Sequence, residues 1–489
     1  MNPIFLFFAY FVSRLTFISN YPYFYDSPEY LRLAQAPQFS QVLSESHENL
    51  HPLYLFFIHI FYHILPIPAA ISFVSVLFGA LGIASFYLLV KLLFGNKIAF
   101  WASLPLLFFP HIFLLQTNIL HDGVDQSLFL AALTSWVYYM RTTRVYFIVL
   151  TFVFCTLSLY DYIGIAIWLP LVFVCTIWLS GKKLWIKNVL LFTFLCVLSI
   201  LSAFYGIYLT LQINHVARNS DFFRILIVEG NELFALLTLP GLLRMIRNGI
   251  YILSIGYTPI VSGVILFAVY RLIEEKKLLL LSGLIVCFCC FFTSISFWHG
   301  GLVGRLGGLI GYCLALLMAL FLSKKWYAIV LLTVIAAFCY TIFLFRFTPP
   351  LPIVQKQIVS EIPINKNDIV VISDYQRPQL EGAFPSRMLA VGSATYKDVM
   401  QEIDRTLGQE QNHVYITNQA ATFPYWQYDG QMLHILSFGN YKKAHLHDFL
   451  LHKKLVRIAS NPNFPFLEVY EIQDIPFEEQ TQTTAYGRY

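Results

Sequence analysis

The chain of 489 residues is 58% hydrophobic, 17% aromatic and only 12% charged, with a mean hydropathy of +0.65. A water-facing surface needs about twice that charge, so a soluble cytoplasmic enzyme, a disordered chain and a disulfide-stapled secreted domain are excluded. The net charge of +5 is unevenly divided: 20 Lys and Arg face 12 Asp and Glu through Thr348, and 12 face 15 beyond it. Because the basic part is also the apolar part, its charge sets orientation in a bilayer rather than binding nucleic acid.

A hydrocarbon core about 30 Å thick needs roughly 20 apolar residues per helix. Spans are predicted at 3–19, 69–93, 98–115, 125–140, 145–160, 162–180, 188–210, 249–270, 278–297, 302–322 and 326–347. The first lacks the basic start and small-residue cleavage site of a signal peptide and is read as a retained helix. Leu53–Leu65 is too short to span comfortably and is read as an interfacial or re-entrant helix carrying His59 and His63, with His51 just before it. That choice puts Lys91/Lys97, Arg141/Arg144, Lys182/Lys183/Lys187, Arg271/Lys276/Lys277 and Lys324/Lys325 on one side, the cytoplasmic one. The predicted topology is eleven spans, N-terminus cytoplasmic and C-terminus outside, in a multi-pass protein of the cell membrane.

All eight cysteines lie in apolar stretches, and Cys287, Cys289 and Cys290 have no imidazole or carboxylate nearby, so they read as small buried or lipid-facing residues. At Thr348-Pro349-Pro350-Leu351-Pro352 the composition changes abruptly, as in a stiff extended linker. Beyond it, strands are predicted at Ile369–Ser373, Val414–Thr417, Val456–Ala459 and Leu467–Ile472, with helices at Tyr396–Leu407 and His445–Lys454. The fold class is therefore a polytopic helical membrane domain, residues 1–347, followed by an extracytoplasmic α/β domain, residues 348–489.

Polar groups at the edge of a membrane are costly and call for reasons. Asp26 emerges directly from the first span in Asp26-Ser27-Pro28-Glu29, followed by His51-Pro52. A helix cap made by Asp26 or Ser27, with Glu29 in the first turn, explains the acids as well as chemistry does. A second acidic site on the same side, Ile119-Leu120-His121-Asp122, favours chemistry. Two carboxylates at one surface suit a reaction in which an acceptor hydroxyl loses its proton to one of them. A phosphate leaving group would need cations. Arg305 follows Trp298-His299-Gly300-Gly301 and is flanked by Gly304, Gly307 and Gly308; it is either a phosphate fork or a snorkelling residue beside a close helix contact. Asp161 is a third acid at an outward turn, equally explained as the closure of a helical hairpin. No His, Asp or Glu spacing reads as a zinc site.

The order of an acid leaving the first helix, His-Pro about 25 residues later and Ile-Leu-x-Asp at the second outward loop resembles the GT-C superfamily. These are integral-membrane glycosyltransferases that use polyprenyl-phosphate sugars, such as the protein O-mannosyltransferases and the aminoarabinose and arabinosyl transferases. The resemblance covers residues 1–180 by motif and the rest by topology. It implies Asp26 as catalytic base, Asp122 holding the acceptor or a divalent metal ion if one is used, and Arg305 with His51 at the donor phosphate. It departs from the family at Ser27, where the mannosyltransferases have a second acid and Glu29 is offered two positions later. It also departs at Leu53, for a second proline, and at Asp161, where many relatives carry lysine. The reaction it implies is an inverting transfer from a polyprenyl-phosphate sugar to a hydroxyl on a protein, glycan or lipid. The competing class is a secondary transporter or lipid-linked-sugar flippase, which would need paired inverted halves and charges at mid-membrane; the acids here cluster at one surface.

Overall fold

The computed structural model describes residues 2–18, 27–45, 51–117, 119, 122–213, 257–296, 308–347, 351–373, 380, 387–391, 396–409, 412–421, 425–428, 433–436, 446, 449–461 and 464–474, with isolated positions between 238 and 253. Two compact units divide at Phe343/Leu344.

The first unit is a bundle of apolar helices. α1 (Pro3–Leu15) starts where the Asn2 side chain accepts the Ile4 N–H at 2.9 Å, an N-cap followed by proline at the first helical position. Three short helices come next: α2 (Ser27–Ala34), α3 (Phe39–Glu45) and α4 (Pro52–Ile64). The last is the 13-residue segment read as too short to span. α5 (Pro68–Phe94) ends at Gly95, whose φ of +90° a side chain would strain.

The predicted span 98–115 is instead two helices, α6 (Asn96–Leu106) and α7 (Pro110–Thr117), bent by 71°. Pro105 and Pro110 supply the reason, since each lacks an N–H and crowds the preceding turn. α8 (Asp122–Thr142) and α9 (Tyr146–Asp161) form a hairpin that a 3-10 turn (Ile163–Trp168) joins to α10 (Leu169–Ile213). Helical bonding in α10 continues through Lys182, Lys183 and Lys187, where a loop between two spans is predicted. Nothing there stops a helix: Gly181 alone costs about 1 kcal/mol, and no proline follows. α11 (Pro259–Glu274), α12 (Leu278–Ser296), α13 (Gly308–Phe321) and α14 (Lys324–Phe347) complete the unit. Among the described residues, three stretches (Pro68–Phe94, Ile186–Gln212 and Lys324–Phe343) are by length and composition able to cross a membrane, four if the bent pair counts as one.

The core runs through α5, α8, α9, α10 and α13, with Trp136, Trp168, Tyr257 and Phe291 fully enclosed. Trp136 Nε1 donates to Thr176 Oγ1 at 2.8 Å, which satisfies the indole inside an apolar bundle. α5 meets α8 at a glycine: a Cβ on Gly82 would lie 2.6 Å from Ser127 Oγ and 3.1 Å from the Tyr312 hydroxyl. Gly82→Leu is therefore expected to push α5 off α8 and cost about 1–3 kcal/mol. A lowered thermal midpoint of the detergent-solubilised protein checks it, with Gly82→Ala falling between that variant and wild type.

The second unit is a sheet of order β2-β1-β3-β7-β6, from β1 (Ile369–Ser373), β2 (Arg387–Val391), β3 (Val414–Thr417), β6 (Lys453–Asn461) and β7 (Phe464–Asp474). β1 pairs in parallel with β2 and β3; β7 runs antiparallel to β3 and β6. β4 (Tyr425–Tyr428) and β5 (Leu433–Leu436) form a separate hairpin. β1 buries both faces: Val370 and Ile372 pack with Ile358 and Val359 of α15 (Leu351–Ser360), and Ile369 and Val371 with Val399 and Ile403 of α16 (Tyr396–Leu407). A short helix α17 (Asn418–Ala421) follows β3. The predicted extended linker gives way to helix from Leu351, with Pro352 in the first turn where proline is tolerated. The helix predicted to Lys454 stops short, because Lys453 opens β6 and its Nζ donates to Asp404 at 2.7 Å and Asp474 at 2.6 Å. Burial would lower the pKa of this lysine, but the two carboxylates outweigh it and leave it raised. Asp368, fully buried, accepts the N–H groups of Asn365 and His413 and ties β1 to the start of β3.

Candidate active site

The described candidates Glu29, His51 and Asp122 sit at helix starts. α2 begins at Ser27, immediately after Asp26, and Glu29 lies in its first turn. Asp122 opens α8, where the helix dipole favours a carboxylate. Asp26 and Arg305 fall outside the described residues, and Glu29 and Asp122 are placed by their backbones.

Tyr30, four residues after Asp26, and Ile119 and Val124, which flank Asp122, belong to one buried apolar cluster with Tyr54, Leu55, Val74 and Phe78. The Tyr30 and Tyr54 rings meet edge to face at 5.0 Å, so α2 docks on α4. Behind the opening turn of α8, Asp125 is buried; its Oδ1 accepts the Gln126 N–H at 2.7 Å, and its main-chain carbonyl accepts the Ser158 hydroxyl of α9 at 2.8 Å.

His51 is the described member of the predicted phosphate-binding pair. It is 3% exposed and stands at the N-cap of α4. Its Nδ1 lies 3.1 Å from the main-chain oxygen of Asp161, and its ring lies 5.2 Å from that of Tyr162. Asp161 Oδ1 accepts the Tyr54 N–H at 2.8 Å. The third acid of the sequence is thus engaged with the start of α4, one turn from His51. Farther along α4, the His59 and His63 rings are 4.2 Å apart; burial, then the neighbouring His63, lowers the His59 pKa. Among the described residues, no group of three or more His, Cys, Asp or Glu side chains gathers as a metal site.

Arg14 was not among the residues singled out from sequence, although an arginine inside an apolar span is itself a signal. It is 2% exposed, and its guanidinium donates to the carbonyls of Leu107 at 2.6 Å and Leu106 at 3.4 Å, at the break between α6 and α7. The faces of Tyr10 and Phe113 cover it at 4.5 and 4.9 Å. One turn away the Tyr10 hydroxyl donates to Gln116 of α7. The helix that precedes Asp26 in the chain is held in this way to the helix that precedes Asp122.

No family model matches the chain, and no curated protein matches it by sequence. Among solved structures it is similar to ArnT from Cupriavidus metallidurans in the apo state, with a TM-score of 0.52 and 11% identity over 96% of this chain and 97% of that one. ArnT bound to undecaprenyl phosphate gives a TM-score of 0.50 and 12% identity over the same shares, 96% and 97%. The oligosaccharyltransferase AglB from Archaeoglobus fulgidus gives 0.49 and 11%, over 99% of this chain and 81% of that one. The likeness to ArnT runs over nearly the whole chain and is one of fold.

Proposed function

We propose, with the fold shared with ArnT as the premise, that this chain is a membrane glycosyltransferase that moves a sugar from a polyprenyl-phosphate donor to an acceptor hydroxyl. The observation that carries the reading is the length of the likeness: it covers 96% of this chain and 97% of an ArnT that binds undecaprenyl phosphate. The order of the Asp26, His51-Pro52 and Asp122 motifs adds independent support, as does the buried cluster shared by Tyr30, Ile119 and Val124.

In this reading Asp26 accepts the proton of the acceptor hydroxyl as its oxygen attacks the anomeric carbon. The bond from that carbon to the phosphate oxygen breaks, the configuration inverts, and polyprenyl phosphate leaves. Arg305 and His51 stabilise the departing phosphate in a water-poor site. Asp122 holds the acceptor, or a divalent ion if one is used, with Glu29 beside them. The reacting face is extracytoplasmic, opposite the basic turns at Lys91/Lys97, Arg141/Arg144, Arg271/Lys276/Lys277 and Lys324/Lys325. In this reading the C-terminal α/β unit is extracytoplasmic as well.

Transfer of label from radiolabelled polyprenyl-phosphate sugars to a panel of hydroxyl acceptors in proteoliposomes tests the proposal. Movement of the label across the bilayer with no transfer would instead support a flippase. Arg305→Ala is expected to weaken binding of undecaprenyl phosphate about 10- to 100-fold, the worth of a charge-assisted hydrogen bond. An unchanged affinity removes Arg305 from the site.

A further inference from the structure

The ends of α9 and α4 satisfy each other. α9 finishes at Asp161, so the carbonyl of that residue is one of the four that a helix leaves without an internal partner. α4 begins at Pro52 after His51, which makes no side-chain cap of its own, so the Tyr54 N–H is one of the four donors left over at the other end. The Asp161 carboxylate takes the Tyr54 N–H at 2.8 Å, and the Asp161 carbonyl meets His51 Nδ1 at 3.1 Å. Asp161 is fully buried, and the Tyr162 ring lies 5.2 Å from the imidazole. One residue, 107 positions away in the chain, therefore caps α4 and grips the histidine at its head.

A carbonyl oxygen can only accept, so Nδ1 carries the proton. Nε2 is then the ring atom that responds to a ligand, as an acceptor when the imidazole is neutral and as a donor when it is charged. Charge supports the cap, since a carboxylate at the N-terminus of a helix offsets the positive end of its dipole.

We propose that Asp161 is a positioning residue, which fixes the orientation and tautomer of His51 by closing the end of α9 onto the start of α4. The proposal rests on the reading of His51 as a ligand of the donor phosphate. The residue has no contact with substrate in this role; it acts through His51.

The test uses the full-length protein in nanodiscs with 15N-labelled histidine, the His51 signal being the one missing from His51→Gln. Wild type is expected to show the Nδ1–H form. Asp161→Asn, whose amide oxygen still caps α4, should keep that form and a donor KM within about threefold of wild type. Asp161→Leu should average the two tautomers and raise the donor KM at least about tenfold, with kcat changed less. An Nε2–H His51 in wild type overturns the proposal even if the leucine variant does not fold. So does a folded Asp161→Leu with an unaltered histidine signal and KM. The expected tautomers with no transfer from any polyprenyl-phosphate sugar support the positioning role and overturn the proposed function.

Discussion

Asp26→Asn is expected to abolish sugar transfer while leaving donor binding intact. A positioned general base contributes typically 10²–10⁴-fold, and asparagine keeps the size of the side chain but cannot take the hydroxyl proton. Turnover should fall by about that factor, with affinity for undecaprenyl phosphate within about threefold of wild type. Single-turnover transfer in proteoliposomes measures the first quantity and equilibrium binding the second. Equal turnover in both proteins removes Asp26 from the chemistry; lost turnover together with lost donor binding would place it at the phosphate instead. Asp26→Glu separates charge from reach, because it restores a carboxylate one methylene too far out and should recover little of the rate.

Arg14→Met should have the largest effect on stability. The guanidinium is 2% exposed and holds the carbonyls of Leu106 and Leu107 at the end of α6, where the chain turns by 71° into α7. A cation at a helix C-terminus is favoured by the dipole, and the Tyr10 and Phe113 faces at 4.5 and 4.9 Å add attraction in a buried site. Methionine fills much of the volume but leaves the buried carbonyl of Leu106 unserved, at about 1–3 kcal/mol, and the half-buried one of Leu107 with it. The thermal midpoint should drop by several degrees, and transfer should fall with it, since α1 and α7 are the helices that lead to Asp26 and Asp122. Arg14→Lys should recover part of the stability, because one nitrogen, Nη2, meets both carbonyls and an ammonium can do the same, but it lacks the flat face that lies against the Tyr10 and Phe113 rings. A methionine variant as stable as wild type would show that the packing of α1 on α7 holds without the cation.

α1, α5, α8, α9, α12 and α14 were legible because lipid-facing and core positions are both apolar, so length and hydropathy alone mark them. α16, β1 and β3 came out with their predicted limits, since their residues carry period and propensity in a short window. The misses have a common form. The break between α6 and α7 depends on two prolines five residues apart acting on one span. The continuous α10 depends on the lack of any stop signal at Lys182–Lys187. The first residue of β6 is decided by Asp404 and Asp474, which lie far along the chain from Lys453.

Composition and order by themselves determined that this chain belongs in a bilayer and that it carries a polar α/β unit after the apolar one. These are properties of windows of some twenty residues, and hydrophobic transfer acts on such windows whatever surrounds them. Only the tertiary structure decided what each polar group touches: that Arg14 closes the end of α6, and that Asp161, read as a hairpin turn or a site acid, serves the first turn of α4 and the ring of His51. A buried polar group must find a partner wherever packing brings one, and packing joins residues a hundred positions apart that no local pattern connects.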